Sequence, residues 1–384
     1  MKIGIDALYI RPGKVGGTES YLRNLIKSLE EFDKDNEYYI FTSKINNESF
    51  SFRNKRFHKV LCEVNGENRF LRIMYVSIML PKIIKKLNLD LLFFPTYVRS
   101  YFKIKGVKTI SNIQDIQYKH FPQYFSFVQK TVFSIFYKVS LIKSDKIICI
   151  SNFVKKDLIN YFRFITPEKY QVIYNPIDFD KFNNIKCVSM EQIRNKYDLE
   201  SKKYLLSVAS LLPHKNLETL IAAYSLLIKN ELYNDIKLVL VGVKAKSTDK
   251  LIEKIEMYGL KNHIIIPGFI NDDELNTMYH DSLIFISTST FEGFGMPPVE
   301  AMYMKLPTIT TRCTSLPEVT LNKALYYDDP MDANQLEKLI CNTINKPPKN
   351  EILSDISLEL KERYSFKTIA RHYIDIFNEL SDSN

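Results

Sequence analysis

The stretch "FEGFGMPPVEAM", residues 291–302, places two carboxylates, Glu292 and Glu300, at the ends of a turn shaped by glycine and proline. The run before it, "LIFISTS", reads as a buried strand, and Pro297 with Pro298 suits the first turn of a helix through "VEAMYM". Strand, loop and helix in that order put the loop at the carboxyl end of a parallel sheet, where such sheets bind ligands. Gly293 and Gly295 bracket Phe294. Backbone amides from Gly293 to Met296 can therefore approach a ligand closely, and a helix start favours an anion such as a diphosphate. Glu300, expected in the first helical turn, can accept the two hydrogen bonds of a ribose 2′,3′-diol, which leaves Glu292 facing the other end of the same ligand. Taken singly, Glu300 is equally a helix-start charge stabilising by about 0.3–1 kcal/mol, and Glu292 an ordinary loop residue.

Outward from this stretch the chain repeats one rhythm. "KIGIDAL", "SYLRNLIKSLEEF", "YYIFTS", "DLLFFPT", "KTISNI" and "DKIICIS" alternate β-rich runs with amphipathic ones, and a second series starts near residue 203 with "KYLLSVAS", "LETLIAAYSLLIK", "IKLVLVGV" and "HIIIPGF". Alternation of this kind predicts parallel sheets built from βα units. The reading is α/β, with two doubly wound Rossmann-like domains facing a cleft. "YNPIDFDKFNNIKCVSM" is the connector, giving an N-terminal domain of residues 1–177 and a C-terminal domain of 178–365.

Composition narrows the function. At 384 residues the chain exceeds one ordinary core. A net charge of +9 suits a polyanionic ligand, an anionic membrane or nucleic acid. With lysines along the whole chain and no arginine-rich arm or zinc-finger spacing, nucleic acid is not expected. Cys62, Cys149, Cys187, Cys313 and Cys341 form no CxxC pair and read as reduced thiols in a cytoplasmic setting. The start lacks a signal-peptide pattern, and charges or Pro81 interrupt each long apolar run before a membrane span is reached. The basic stretches "LPKIIKKLNL" and "FVQKTVFSIFYKVSLIKSDK" fit either core-facing helices or peripheral contact with an anionic membrane.

Further residues carry chemistry. Lys215, in "PHKN", follows a strand and precedes a helix, a position suited to phosphate, although a solvated lysine fits as well. Gly16 and Gly17 open a helix after the first strand, where a plain turn is the simpler account. Asp115 follows "KTISNI" and is either a base or orienting group for a hydroxyl, or a loop aspartate satisfying backbone N–H groups. Gln114 beside it cannot shuttle a proton. His120 reads as packing, and Asp178 with Asp180 as capping rather than metal binding, so no metal site is expected.

"FEGFGMPPVEAM", together with "GFINDDELNTMYHDSLIFIS", "LPTITTRCTSLPEV", "VASLLPHKNLETLIAAYSLL" and "VIYNPIDFDKF", resembles the retaining glycosyltransferases of family 4, which have the GT-B fold. "IQDIQYKHFPQYFS" is similar to the acceptor-side segment of mannosyltransferase-like members. The resemblance implies transfer of a hexose, mannose first, from a GDP- or UDP-linked donor to a hydroxyl on a growing lipid-linked or surface glycan, with no other cofactor. It implies that Glu300 binds ribose, that Glu292 contacts the donor sugar, and that Lys215 neutralises the leaving diphosphate. Gly16, Gly17 and the amides of Gly293, Phe294, Gly295 and Met296 would hold phosphate or sugar, and Asp115 would serve the acceptor. A last helix, about 366–384, would return to the N-terminal, acceptor-binding domain. Peripheral attachment to the inner face of the plasma membrane is compatible with such an acceptor.

Three positions depart from the family pattern: Ser210 where arginine is frequent, Gln114 where histidine is, and Lys305 where glycine is. Arg312 is a candidate replacement for the missing diphosphate contact. The departures keep a non-catalytic sugar-nucleotide or glycan binding protein in play. An NAD-dependent dehydrogenase is the other rival, weakened by the absence of a glycine fingerprint.

Overall fold

The computed structural model describes residues 1–382 apart from 14–15, 184–187, 200–202 and 244–247. Cys187 lies outside the described residues. The chain divides into two compact units, Met1–Ile177 with Tyr364–Asn384, and Asp178–Arg363.

The first unit is built on strands β1 (Lys2–Asp6), β2 (Glu37–Ser43), β3 (Phe57–Cys62), β4 (Leu91–Phe94), β5 (Lys108–Ile113), β6 (Lys146–Cys149) and β7 (Tyr170–Val172). They pair in the order β3-β2-β1-β4-β5-β6-β7, all parallel. Ile3 sits at the centre, opposite Tyr38 on one side and Leu91 on the other. The second unit holds β8 (Tyr204–Val208), β9 (Lys237–Val241), β10 (Ile264–Gly268), β11 (Ile284–Ser287), β12 (Thr308–Thr311) and β13 (Leu325–Tyr327), again parallel, in the order β10-β9-β8-β11-β12-β13. Each sheet reverses direction beside its first strand, between β1 and β4 and between β8 and β11. That is the switch point at which doubly wound sheets take ligands.

Parallel strands are covered by helices on both faces, so their side chains are apolar throughout. β4 "LLFF" and β11 "IFIS" are buried at every residue. In the first unit the helix Gly17–Phe32 and the C-terminal helix Phe366–Asp382 close one face of the sheet, sharing a core that includes Leu22, Leu25, Phe93, Ile369 and Phe377. Tyr21 and Tyr373 join their hydroxyls at 2.5 Å inside it. In the second unit Leu220, Tyr224, Leu238, Ile286 and Leu336 are core residues. Cys62, Cys149, Cys313 and Cys341 are free thiols. Among the described residues, no helix is long and apolar enough to cross a membrane.

Two backbone positions bear on the site. Lys305 adopts φ 61 just after the helix Met296–Tyr303, and its N–H donates to Met302 O at 3.1 Å. The lysine thus occupies a left-handed helix end that glycine fills without cost. Gly242, which follows β9, lies against the loop leaving β8: a Cβ there would fall 1.8 Å from Ala209 O and 2.7 Å from Ala209 C. This loop leads to Lys215. Gly242→Ala is expected to destabilise the second unit by about 1–3 kcal/mol or more, because the backbone it meets cannot rotate away. Chemical denaturation checks this, and an unchanged midpoint contradicts the packing described.

Candidate active site

At the switch point of the second unit, the loops leaving β8 and β11 are fastened together. Thr290 donates its backbone N–H to His214 O at 2.8 Å and its hydroxyl to the same oxygen at 3.1 Å, and Thr288 Oγ1 donates to Lys215 O at 2.8 Å. The threonine and serine run after β11 therefore fixes the backbone that carries Lys215. The side chains then meet: Lys215 Nζ lies 2.6 Å from Glu292 Oε1, and Ser289 Oγ donates to that same oxygen at 2.8 Å. Both charged side chains are mostly shielded, at 16% and 15% exposure. Burial, then the Lys215 charge, holds the neighbouring His214 imidazole down at about 4, so this ring is neutral at physiological pH.

The glycine turn is built as its composition suggests. Gly295 has φ 97 and caps the helix Met296–Tyr303, and a Cβ on it would meet Leu316 at 2.9 Å. Glu292 donates its N–H to Thr314 Oγ1, while Ser315 Oγ donates to both Glu292 O and Phe294 O, each at 2.9 Å. Phe294 directs its ring into the core, and Met296 is half-buried at the helix start. One expectation is corrected. The helix begins at Met296, so Glu300 stands in its second turn and no acidic residue occupies the first. Its charge is not at the helix start, and it is met by side chains instead: Lys181 Nζ at 2.8 Å from Oε1 and Tyr279 OH at 3.3 Å from Oε2.

The sequence reading missed Lys181, Tyr279 and Ser289. Lys181 stands in "DFDKF", a segment set aside as connector, and Tyr279 in the helix Asp272–Asp281. Asp178 accepts the Lys181 N–H at 3.3 Å, the capping role expected of it, next to the short helix Asp180–Asn183. Among the described residues, no three His, Cys, Asp or Glu side chains gather as a metal site would require. Arg312 gives no support to its proposed role. Its Nε is 3.0 Å from Asp328 and its guanidinium covers the Tyr326 ring, which engages it at the β13 side of the sheet.

In the first unit Gly16, with φ 67, caps the helix Gly17–Phe32, and its carbonyl accepts from Glu19 and Ser20. Asp115 follows β5, where its Oδ1 accepts the Gln117 N–H at 2.9 Å and its carbonyl accepts Tyr137 OH at 2.7 Å. The backbone-satisfying role is thus realised in one carboxylate oxygen. His120 pairs with Asp157 at 2.7 Å beside Tyr161, so a carboxylate as well as aromatic neighbours holds the ring. Around the ends of β1 and β4 lie groups the sequence did not single out. Arg69 donates to Tyr97 OH at 2.9 Å, and Tyr97 stacks on Tyr137 at 4.3 Å. The Asp6 carboxyl, at the end of β1, is pushed up to about 6 by burial against the pull of the Leu8 N–H and Arg72.

A model of the glycosyl transferases group 1 family matches residues 189–357, and a model of glycosyltransferase family 4 matches residues 15–181. The serotype-specific mannosyltransferase WbdA of Escherichia coli is 31% identical over 198 residues, 51% of this chain and 24% of that relative. The chain thus spans about a quarter of the length of WbdA. The uncharacterized glycosyltransferase MJ1178 of Methanocaldococcus jannaschii is 27% identical, covering 100% of this chain and 99% of the relative. Sucrose-phosphate synthase from Thermosynechococcus elongatus shares the fold with a TM-score of 0.80 at 16% identity over all of both chains. Family models spanning most of the chain, and two parallel sheets of the same strand order, agree: the chain belongs to glycosyltransferase family 4 and has the GT-B fold.

Proposed function

We propose that this glycosyltransferase moves a hexose, mannose in the first instance, from a GDP- or UDP-linked donor to a hydroxyl acceptor with retention of anomeric configuration. The observation that carries the reading is the Lys215–Glu292 pair, 2.6 Å apart at the carboxyl ends of β8 and β11. Mannose is supported by the naming of WbdA and retention by the family pattern alone. In this reading the C-terminal unit binds the donor. Glu300 receives the ribose and Glu292 the sugar hydroxyls, while the amides of Gly293, Phe294, Gly295 and Met296 hold sugar and diphosphate.

Lys215 has three N–H donors and spends one on Glu292. The others serve the diphosphate as its negative charge grows, the kind of electrostatic stabilisation that dominates departure of an anion. Glu292 Oε1 accepts from both Lys215 and Ser289, which fixes the carboxylate in place and suits it to positioning the sugar. The acceptor then enters on the face the diphosphate leaves. The C1–O bond to phosphate breaks with its electron pair on the nucleotide, the acceptor oxygen bonds C1, and the acceptor proton passes to the departing phosphate. Asp115, whose Oδ1 accepts from Gln117, serves the acceptor hydroxyl in the N-terminal unit.

The acceptor is a growing glycan on an anionic membrane, and the first unit supplies the contact. Between residues 68 and 144 the chain has thirteen Lys and Arg against only Asp90 and Asp115. The helix Leu80–Leu87 buries Leu80 and Ile84, so its lysines lie on the outer side of a core helix. The helices Arg69–Ile78 and Phe127–Lys143 differ: Phe70 is 70% exposed and Phe127 80%. Arg69, 4.9 Å over the Phe133 ring, links them. Exposed aromatics among lysines are what an interfacial surface requires.

Glu292→Gln and Lys215→Met are each expected to lower kcat for sugar transfer by about 10²- to 10³-fold with the fold retained. Glu300→Gln should chiefly weaken nucleotide binding. A transfer assay over GDP- and UDP-linked hexoses checks both, and wild-type rates in all three variants contradict the assignment. Donor binding with no transfer favours a non-catalytic protein instead.

Sedimentation with phosphatidylcholine vesicles, with and without phosphatidylglycerol, tests the surface. Binding should need the anionic lipid, weaken with salt, and fall about tenfold in a Phe70→Asp, Phe127→Asp double variant. Equal binding by wild type and variant contradicts the membrane reading.

A further inference from the structure

The sequence reading treats Lys181 as part of the connector, yet it is built into the second unit with unusual care. Its carbonyl accepts from Asn276 Nδ2 at 2.7 Å and its N–H reaches Asp178 Oδ1 at 3.3 Å. Phe179 and Phe182 on either side are buried, Phe179 packing on Tyr303 at 4.3 Å and Phe182 on Tyr279 at 6.1 Å. This segment is therefore tied to the two helices, Asp272–Asp281 and Met296–Tyr303, that carry Tyr279 and Glu300. From that base Lys181 Nζ lies 2.8 Å from Glu300 Oε1, the two side chains being 23% and 12% exposed. Burial alone works against the ammonium charge, but Glu300 and Asp272 outweigh it and hold the Lys181 pKa above its ordinary value.

A carboxylate offers about four lone-pair sites, two on each oxygen. Lys181 occupies one on Oε1 and the Tyr279 hydroxyl one on Oε2. One site per oxygen remains, the number a vicinal diol needs. We infer that Lys181 is the positioning residue that presents Glu300 to a nucleotide ribose, and that discrimination between a ribose and a ribose lacking its hydroxyls depends on it. The inference rests on the assignment of Glu300 to the ribose made above. It adds a residue from outside the glutamate stretch, 119 positions away in sequence.

The ammonium has a further effect. It balances the carboxylate charge of a shielded Glu300, whose two oxygens can each accept from one hydroxyl. Without Lys181 the carboxylate would lose its counterion and its fixed rotamer together. A neutral side chain of similar length keeps the contact with the Phe182 ring while removing both.

The test is isothermal titration of the full chain with UDP and with GDP, each compared with its 2′,3′-dideoxy form, and the readout is the affinity ratio within each pair. The wild type is expected to favour the diol by about tenfold or more for the nucleotide it binds. Lys181→Met should bring that ratio close to one while leaving affinity for the dideoxy form unchanged. Lys181→Arg should restore it. A structural role in the connector alone would lower both affinities together, or only the thermal midpoint, and leave the ratio at its wild-type value; that result overturns the inference. Glu300→Gln separates the two levels. If it abolishes the ratio and Lys181→Met does not, the ribose assignment stands and the positioning role fails. If Glu300→Gln leaves the ratio intact, the ribose assignment itself is wrong and the role of Lys181 falls with it.

Discussion

Half-burying a carboxylate removes water that it needs, and the loss is made good only by a cation or by well-placed donors. The second unit meets this requirement twice, with Lys215 and Ser289 on Glu292 and with Lys181 and Tyr279 on Glu300. Everything local to the site follows from keeping those pairs in register. The threonines after β11 hold the backbone of Lys215, Gly242 lets that loop pass, and the aromatic contacts of Phe179 and Phe182 hold Lys181. The strand order then determines where the first pair sits, because only the loops after β8 and β11 flank the reversal of the sheet.

The two charged pairs have a chemical consequence for the proposed reaction. A transferase needs its anionic side chains oriented towards sugar and ribose, and its cations available for a diphosphate that acquires charge late. A lysine with three donors can do both at once, holding a carboxylate with one and receiving phosphate with the rest. Under the proposed function, holding both carboxylates by such pairs limits the reorganisation demanded at the moment of bond cleavage.

Much of this architecture was legible in the sequence, for a physical reason. Strands buried on both faces must be nearly continuous runs of apolar residues, so "KLVLV" and "LIFIS" identify β9 and β11 unaided. The strands that escaped notice stand at the sheet edges. β3, "FHKVLC", is buried only at its two ends, and β7 and β13 have three residues each, too few for a periodic signal. The glycine turn was equally readable, since φ 97 at Gly295 is a conformation that favours glycine. What could not be read was pairing across distance. Lys215 and Glu292 are 77 positions apart, and Lys181 and Glu300 are 119 apart. No local pattern encodes such a meeting; it exists only once the sheet has brought its loops together. The displacement of Glu300 into the second helical turn has a smaller cause, the helix starting at Met296 rather than nearer the glutamate.

The account turns on where an activated sugar sits. Hydrogen exchange of backbone amides, followed by mass spectrometry with and without a saturating GDP- or UDP-linked hexose, tests that most directly. Slowed exchange is predicted in the segments 209–216 and 288–304, the loops after β8 and β11 and the helix that carries Glu300, because amides bonded to a ligand or covered by it open less often. A donor that binds tightly yet leaves both segments unchanged, protecting some other part of the chain, would contradict the assignment of Glu292 and Glu300 to its sugar and ribose.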